Sequence, residues 1–140
     1  VGKLWRKQDY QNRFVFDIIS VRKVNVPDSI EIMVMSGPYD GSIHRLTTPH
    51  EPSSGYVIGR RDECDLSFPF DRLVSSRHAR LFKNDGVWYL EDLGSTNKTF
   101  IDKRRADGSF AGRERIEGIH AVAIGQLIQL GRLWIRLQSE

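Results

Sequence analysis

Nowhere does this chain keep apolar residues at helical spacing for three clean turns; it offers short apolar runs, each cut off by turn residues. Residues 30–35 form a β-rich apolar run, and residues 36–41 close it with glycine and proline. Residues 55–59 make a second run, bounded by glycines. Residues 78–82 alternate, Lys83-Asn84-Asp85-Gly86 supplies a hairpin turn, and residues 87–90 return. Asp-Gly between two such runs is a strong hairpin signal, because glycine takes positive φ without steric cost. Residues 120–124, 126–130 and 133–137 repeat the pattern, punctuated by Gly125 and Gly131. Strands this short, with turns this frequent, predict an all-β sandwich or barrel. The polar segment 103–115, which contains Gly108 and Gly112, is expected to be a long surface loop.

At 140 residues the chain is sized for one domain and buries ~70% of its unfolded surface without staples. Its 39% hydrophobic and 28% charged residues place it among globular rather than disordered chains. No run approaches the ~18 apolar residues of a membrane span. One cysteine, Cys64, leaves no internal disulfide or cysteine cluster and suits a reducing, intracellular compartment. The start at Val1, without methionine or a leader pattern, suggests a piece of a longer protein.

The net charge of +3 invites a nucleic-acid reading. Its distribution argues otherwise: residues 1–27 hold six basic side chains against two acidic, whereas residues 28–140 hold 15 against 16. A nucleic-acid binder usually carries its basic stripe on the folded face. Residues 1–27 are therefore expected to be a basic N-terminal extension or linker, ordered through Trp5, Tyr10 and Phe14, and 28–140 the domain proper.

Three polar patches stand at the ends of apolar runs: Gly59-Arg60, Ser75-Ser76-Arg77-His78, and Gly94-Ser95-Thr96-Asn97-Lys98-Thr99. Loops of a sandwich gather at its two ends, so distant segments converge. A guanidinium, several hydroxyls, an amide and backbone N–H groups suit an anion with several acceptor oxygens. Taken singly these residues have plainer readings. Arg60 would pair locally with Asp62 or Glu63, the serines and Asn97 would be turn residues, and His78 a satisfied buried histidine. Catalysis is not expected. Asp71, Ser75 and His78 are close in sequence but lack an oxyanion hole, and no Gly-x-Ser-x-Gly elbow is present. The Gly94–Thr99 stretch lacks the Gly-Lys-Ser/Thr ending of a phosphate loop. His44, His50, His78 and His120 show no metal-ligand spacing, so no metal or cofactor is expected. Trp88, Trp134 and Phe82 read as core residues.

Gly59-Arg60, then Ser75-x-x-His78, then Ser95-Thr96-Asn97-x-Thr99, in that order on a strand-rich chain, resembles the forkhead-associated (FHA) domain. The resemblance covers roughly residues 30–137. It implies a β-sandwich of about eleven strands that binds phosphothreonine peptides through loops at one end. The function implied is a recognition module of a larger signalling or regulatory protein. A phospho-independent or structural interaction domain is the alternative. By that resemblance Arg60 and Ser75 would hold the phosphate with Ser76 beside them, and Thr96 and Asn97 would hold the peptide. Leu73 would line the side that reads flanking residues, and Gly59 and His78 would be structural. Lys98 departs from the family's usual glycine. It either takes a positive φ at ~1 kcal/mol, sits in a different turn, or adds charge near the peptide.

Overall fold

A computed structural model describes residues 28–140; the extension expected over 1–27 lies outside the described residues. Eleven strands build two sheets. They are β1 (Ile30–Val34), β2 (Ile43–Leu46), β3 (Tyr56–Gly59), β4 (Leu66–Ser67), β5 (Ala79–Asn84), β6 (Val87–Asp92), β7 (Thr99–Arg104), β8 (Phe110–Arg115), β9 (Ile119–Val122), β10 (Leu127–Leu130) and β11 (Leu133–Ser139). One sheet runs β2-β1-β11-β10-β7-β8 and the other β4-β3-β5-β6-β9. All pairs are antiparallel except β3 with β4.

The period of two decides which side chains enter the core. Ile30, Ile32 and Val34 of β1 are buried, as are Leu133, Ile135 and Leu137 of β11. From the opposite sheet come Leu81, Trp88 and Leu90. Phe82 and Trp134 differ from expectation. They occupy the outward positions of β5 and β11 and stay half-buried, and Phe82 stacks on Tyr89 at 5.6 Å.

The β5–β6 hairpin turns on Asp85 (φ 51°) and Gly86 (φ 79°). Positive φ at both central positions matches the right-handed twist of the flanking strands. Full pairing from Ala79↔Asp92 to Asn84↔Val87 then fixes the far ends of the two strands side by side.

The expected long loop over 103–115 is instead a hairpin. β7 and β8 pair from Phe100↔Arg115 to Arg104↔Phe110 around a turn closed by the Arg105 N–H to the Ser109 carbonyl, 2.9 Å. β8 is a sheet edge with both faces largely exposed. Such a strand has no core face to impose an apolar alternation, so its sequence resembles a loop.

Candidate functional site

The C-terminal ends of β3 and β6 and the N-terminal ends of β5 and β7 lie at one rim of the sandwich, because β3 and β6 each run antiparallel to β5. The three polar patches sit on the loops leaving those ends. Backbone bonds join the first two: the Arg60 N–H donates to the Ser75 carbonyl at 2.9 Å and the Arg61 N–H to the Ser76 carbonyl at 3.2 Å. Gly59 permits this approach. A Cβ there would overlap the Ser76 carbonyl oxygen and lie 2.9 Å from Cys64 Sγ.

His78, fully buried, joins the second patch to the third. Its Nδ1 accepts the Ser75 N–H at 3.0 Å, and its Nε2 lies 2.9 Å from the Lys98 carbonyl, which only accepts. The ring is therefore neutral with its proton on Nε2. Burial pushes its pKa below the ordinary value. The sign follows: as pH falls, the unfolded chain takes the proton first. His78's stabilising contribution is whole above its unfolded pKa of about 6.5 and shrinks as pH drops from there toward the lower folded value. A lower denaturation midpoint at pH 5 than at pH 7.5 is expected, with the difference reduced in His78→Asn.

Asp92, at the end of β6, organises the third loop. Its Oδ2 accepts the N–H groups of Gly94 and Ser95, both at 3.0 Å; its Oδ1 accepts the hydroxyls of Ser95 and, at 2.7 Å, Thr99. Burial pushes the carboxyl up, but the bonds from Ser95 and Thr99 outweigh it and hold the pKa below the usual range. Lys98 adopts φ 67°, the strained left-handed geometry, and its carbonyl serves His78. Lys98→Gly should relieve that strain and raise unfolding stability by ~0.5–1 kcal/mol, read from urea midpoints.

These bonds border an open concavity of about 370 Å³ lined by Arg60, Arg72, Leu73, Val74, Ser75, Ser76, Arg77, Thr96 and Asn97. Arg60 Nη1 donates to the carbonyls of Val74 (3.1 Å) and Arg72 (3.4 Å), which aims the side chain along the loop. It makes no ion pair with Asp62 or Glu63, and Nε and Nη2 have no protein acceptor among the described residues. Ser75 Oγ accepts the Thr96 N–H at 3.0 Å, leaving its own proton to donate. Asn97 Nδ2 donates to the Leu73 carbonyl at 2.9 Å, tying the third loop to 72–74. Six of the seven residues expected to contact phosphate or peptide thus line one concavity; Lys98 does not. Gly59 and His78 lie beneath it as spacer and brace.

Sequence reasoning missed Asp92, whose spacing to Ser95 and Thr99 carries a carboxylate-capped turn signal. It read Gly131 as a turn break only, whereas φ there is 65° and a Cβ would overlap the Leu73 carbonyl. Asp71, Ser75 and His78 do not form a reacting set. Asp71 accepts the Leu73 N–H at 3.0 Å, and His78 faces the backbone of Ser75 rather than its hydroxyl. Among the described residues no cluster of His, Cys, Asp or Glu is arranged to hold a metal ion. No helix there is long and apolar enough to cross a membrane.

A two-sheet sandwich that gathers polar loops at one rim is an architecture suited to recognition. The family description that matches residues 56–131 is the FHA domain, and the chain belongs to that family. FHA domain-containing protein FhaB of Mycolicibacterium smegmatis is 33% identical over 108 residues, spanning 77% of this chain and 59% of FhaB. This chain thus spans little more than half the length of that relative. Among solved structures, the FHA domain of CT664 from Chlamydia trachomatis superposes with a TM-score of 0.59 at 24% identity, covering 81% of this chain and 99% of that one. Mycobacterium tuberculosis EmbR, solved in complex with a low affinity phosphopeptide, superposes at 0.61 with 16% identity, over 87% of this chain and 28% of EmbR. At those identities the likeness is one of fold.

Proposed function

We propose that the domain binds phosphothreonine-containing peptides, as a non-catalytic recognition module of a larger signalling or regulatory protein. The observation that carries this reading is the 370 Å³ cavity, where a guanidinium, serine hydroxyls and an amide converge without a carboxylate among the lining residues. Arg60 offers a planar donor fork suited to phosphate oxygens, and Ser75 offers a hydroxyl proton. Ser76 stands beside them, and Thr96 and Asn97 hold the peptide backbone with Leu73 at the margin. The phosphopeptide held by the EmbR fold neighbour is consistent with this use of the rim. An intracellular setting, where kinases act and Cys64 stays reduced, fits the same reading.

Calorimetric titration of one peptide in phosphothreonine, phosphoserine and unmodified forms tests it. Binding is expected for the first, weaker binding by about fourfold for the second from loss of a buried methyl worth ~0.8 kcal/mol, and none for the third. Equal binding of the unmodified peptide overturns it.

A phospho-independent docking role is the second reading. It is favoured by an apolar basin of about 290 Å³ beside Leu73, lined by Pro38, Tyr39, Phe68, Phe70 and Leu133, with Phe70 83% exposed. A partner that stays bound in saturating free phosphothreonine uses that basin and not the polar cavity.

A further inference from the structure

The polar cavity holds more positive charge than one phosphate needs. Arg60, Arg72 and Arg77 all line it, and no Asp or Glu does. Arg60 is fixed by the Arg72 and Val74 carbonyls. Arg72 and Arg77 are exposed, and among the described residues neither side chain forms an ion pair or donates a hydrogen bond. Asp71, the carboxylate next to Arg72 in sequence, accepts from the Leu73 N–H instead. A phosphomonoester brings about −1.5 to −2 charge at neutral pH. Against three guanidiniums it leaves a cationic surplus.

The surplus is confined to this cavity. Arg77 also borders a cavity of about 230 Å³, but there Glu51, Glu63 and Asp65 offset Arg61 and Arg77. Arg72 also borders the apolar basin, whose only carboxylate is Asp71. An anion that reached both Arg72 and Arg77 would lie in the same cavity as the phosphate.

We propose that the bound peptide carries a second anionic group adjoining the phosphothreonine, an acidic side chain or a second phosphoryl group, held by Arg72 and Arg77. This rests on the phosphothreonine reading above and specifies its ligand. The cavity thereby selects for charge density around the phosphothreonine, since a neutral flank leaves both guanidiniums without an anionic partner in the cavity.

The test is a double-mutant cycle between protein and peptide. Peptides with the phosphothreonine flanked by alanines, by one glutamate on either side, or by a second phosphothreonine are titrated against the wild-type chain and the Arg72→Gln/Arg77→Gln double variant. The readout is the ratio of affinities for the doubly and singly anionic peptides, so a general loss from removing positive charge cancels. In the wild type the second anion should tighten binding roughly fivefold, equivalent to about 1 kcal/mol, and by less at high salt. In the double variant the ratio should fall toward one. A gain with glutamate identifies an acidic residue as sufficient; a gain only with the second phosphothreonine identifies the phosphoryl group. A ratio near one in the wild type, or the same ratio in both proteins, overturns the proposal. Failure of every phosphothreonine peptide to bind overturns the phosphothreonine reading instead. If the double variant does not fold, the single substitutions are read in the same way.

Discussion

Arg60→Ala is expected to weaken phosphothreonine-peptide binding roughly 30- to 150-fold, a loss of ~2–3 kcal/mol. The guanidinium is half-buried with one arm already bonded to the protein, so most of its ordering cost is met before ligand arrives. Its loss removes charge-assisted bonds that neither Ser75 nor Ser76 replaces. Arg60→Lys keeps the charge but not the fork, nor the geometry toward the Val74 and Arg72 carbonyls, and should recover only part of the affinity. Calorimetry with one phosphopeptide across the three proteins is sufficient. Wild-type affinity in Arg60→Ala would remove this residue from the site.

The largest expected effect on stability comes from Asp92→Ala. The carboxylate accepts four hydrogen bonds, and the two hydroxyls among its donors belong to Ser95 and Thr99, 2% and 0% exposed. Removing the acceptor strands those donors away from water, where each unsatisfied group costs ~1–3 kcal/mol. A net loss of roughly 3–4 kcal/mol is expected, read as a lower urea midpoint. Asp92→Asn retains one acceptor oxygen and should fall between. Peptide affinity should drop alongside, because Thr96 and Asn97 are held in place by this loop. An unchanged midpoint in Asp92→Ala would mean that the four bonds contribute nothing net over solvation.

Asp92 also shows where sequence reasoning stops. Arg60, Ser75 and Asn97 were legible because polar residues at the ends of apolar runs stand out against their surroundings. A carboxylate that turns inward looks in sequence like any charged strand end. The spacing to Ser95 and Thr99 hints at a capped turn, but only the fold shows that the loop turns back over the carboxylate and makes both hydroxyls its donors. Gly131 is a parallel case: its absent side chain matters because Leu73, 58 positions earlier, passes against it. The β7–β8 hairpin was hidden for the opposite reason, since an edge strand with two wet faces carries no alternation. Lys98 was visible as a departure, and the backbone decided between its readings: the turn is kept at φ 67° and the side chain lies outside the cavity lining.

The amino-acid order alone determined the all-β class, the Asp85-Gly86 hairpin and the three polar loops. Those features are local: a period of two, a positive-φ turn and a break in apolarity are written within a few neighbouring residues. Tertiary structure decided that the loops meet at one rim, that His78 is neutral because two backbone groups claim its ring nitrogens, and that three guanidiniums share one cavity without a carboxylate. Each of those depends on strand pairing between residues far apart in the chain, and the closing distance between such residues is a property of the packed sheets rather than of any segment.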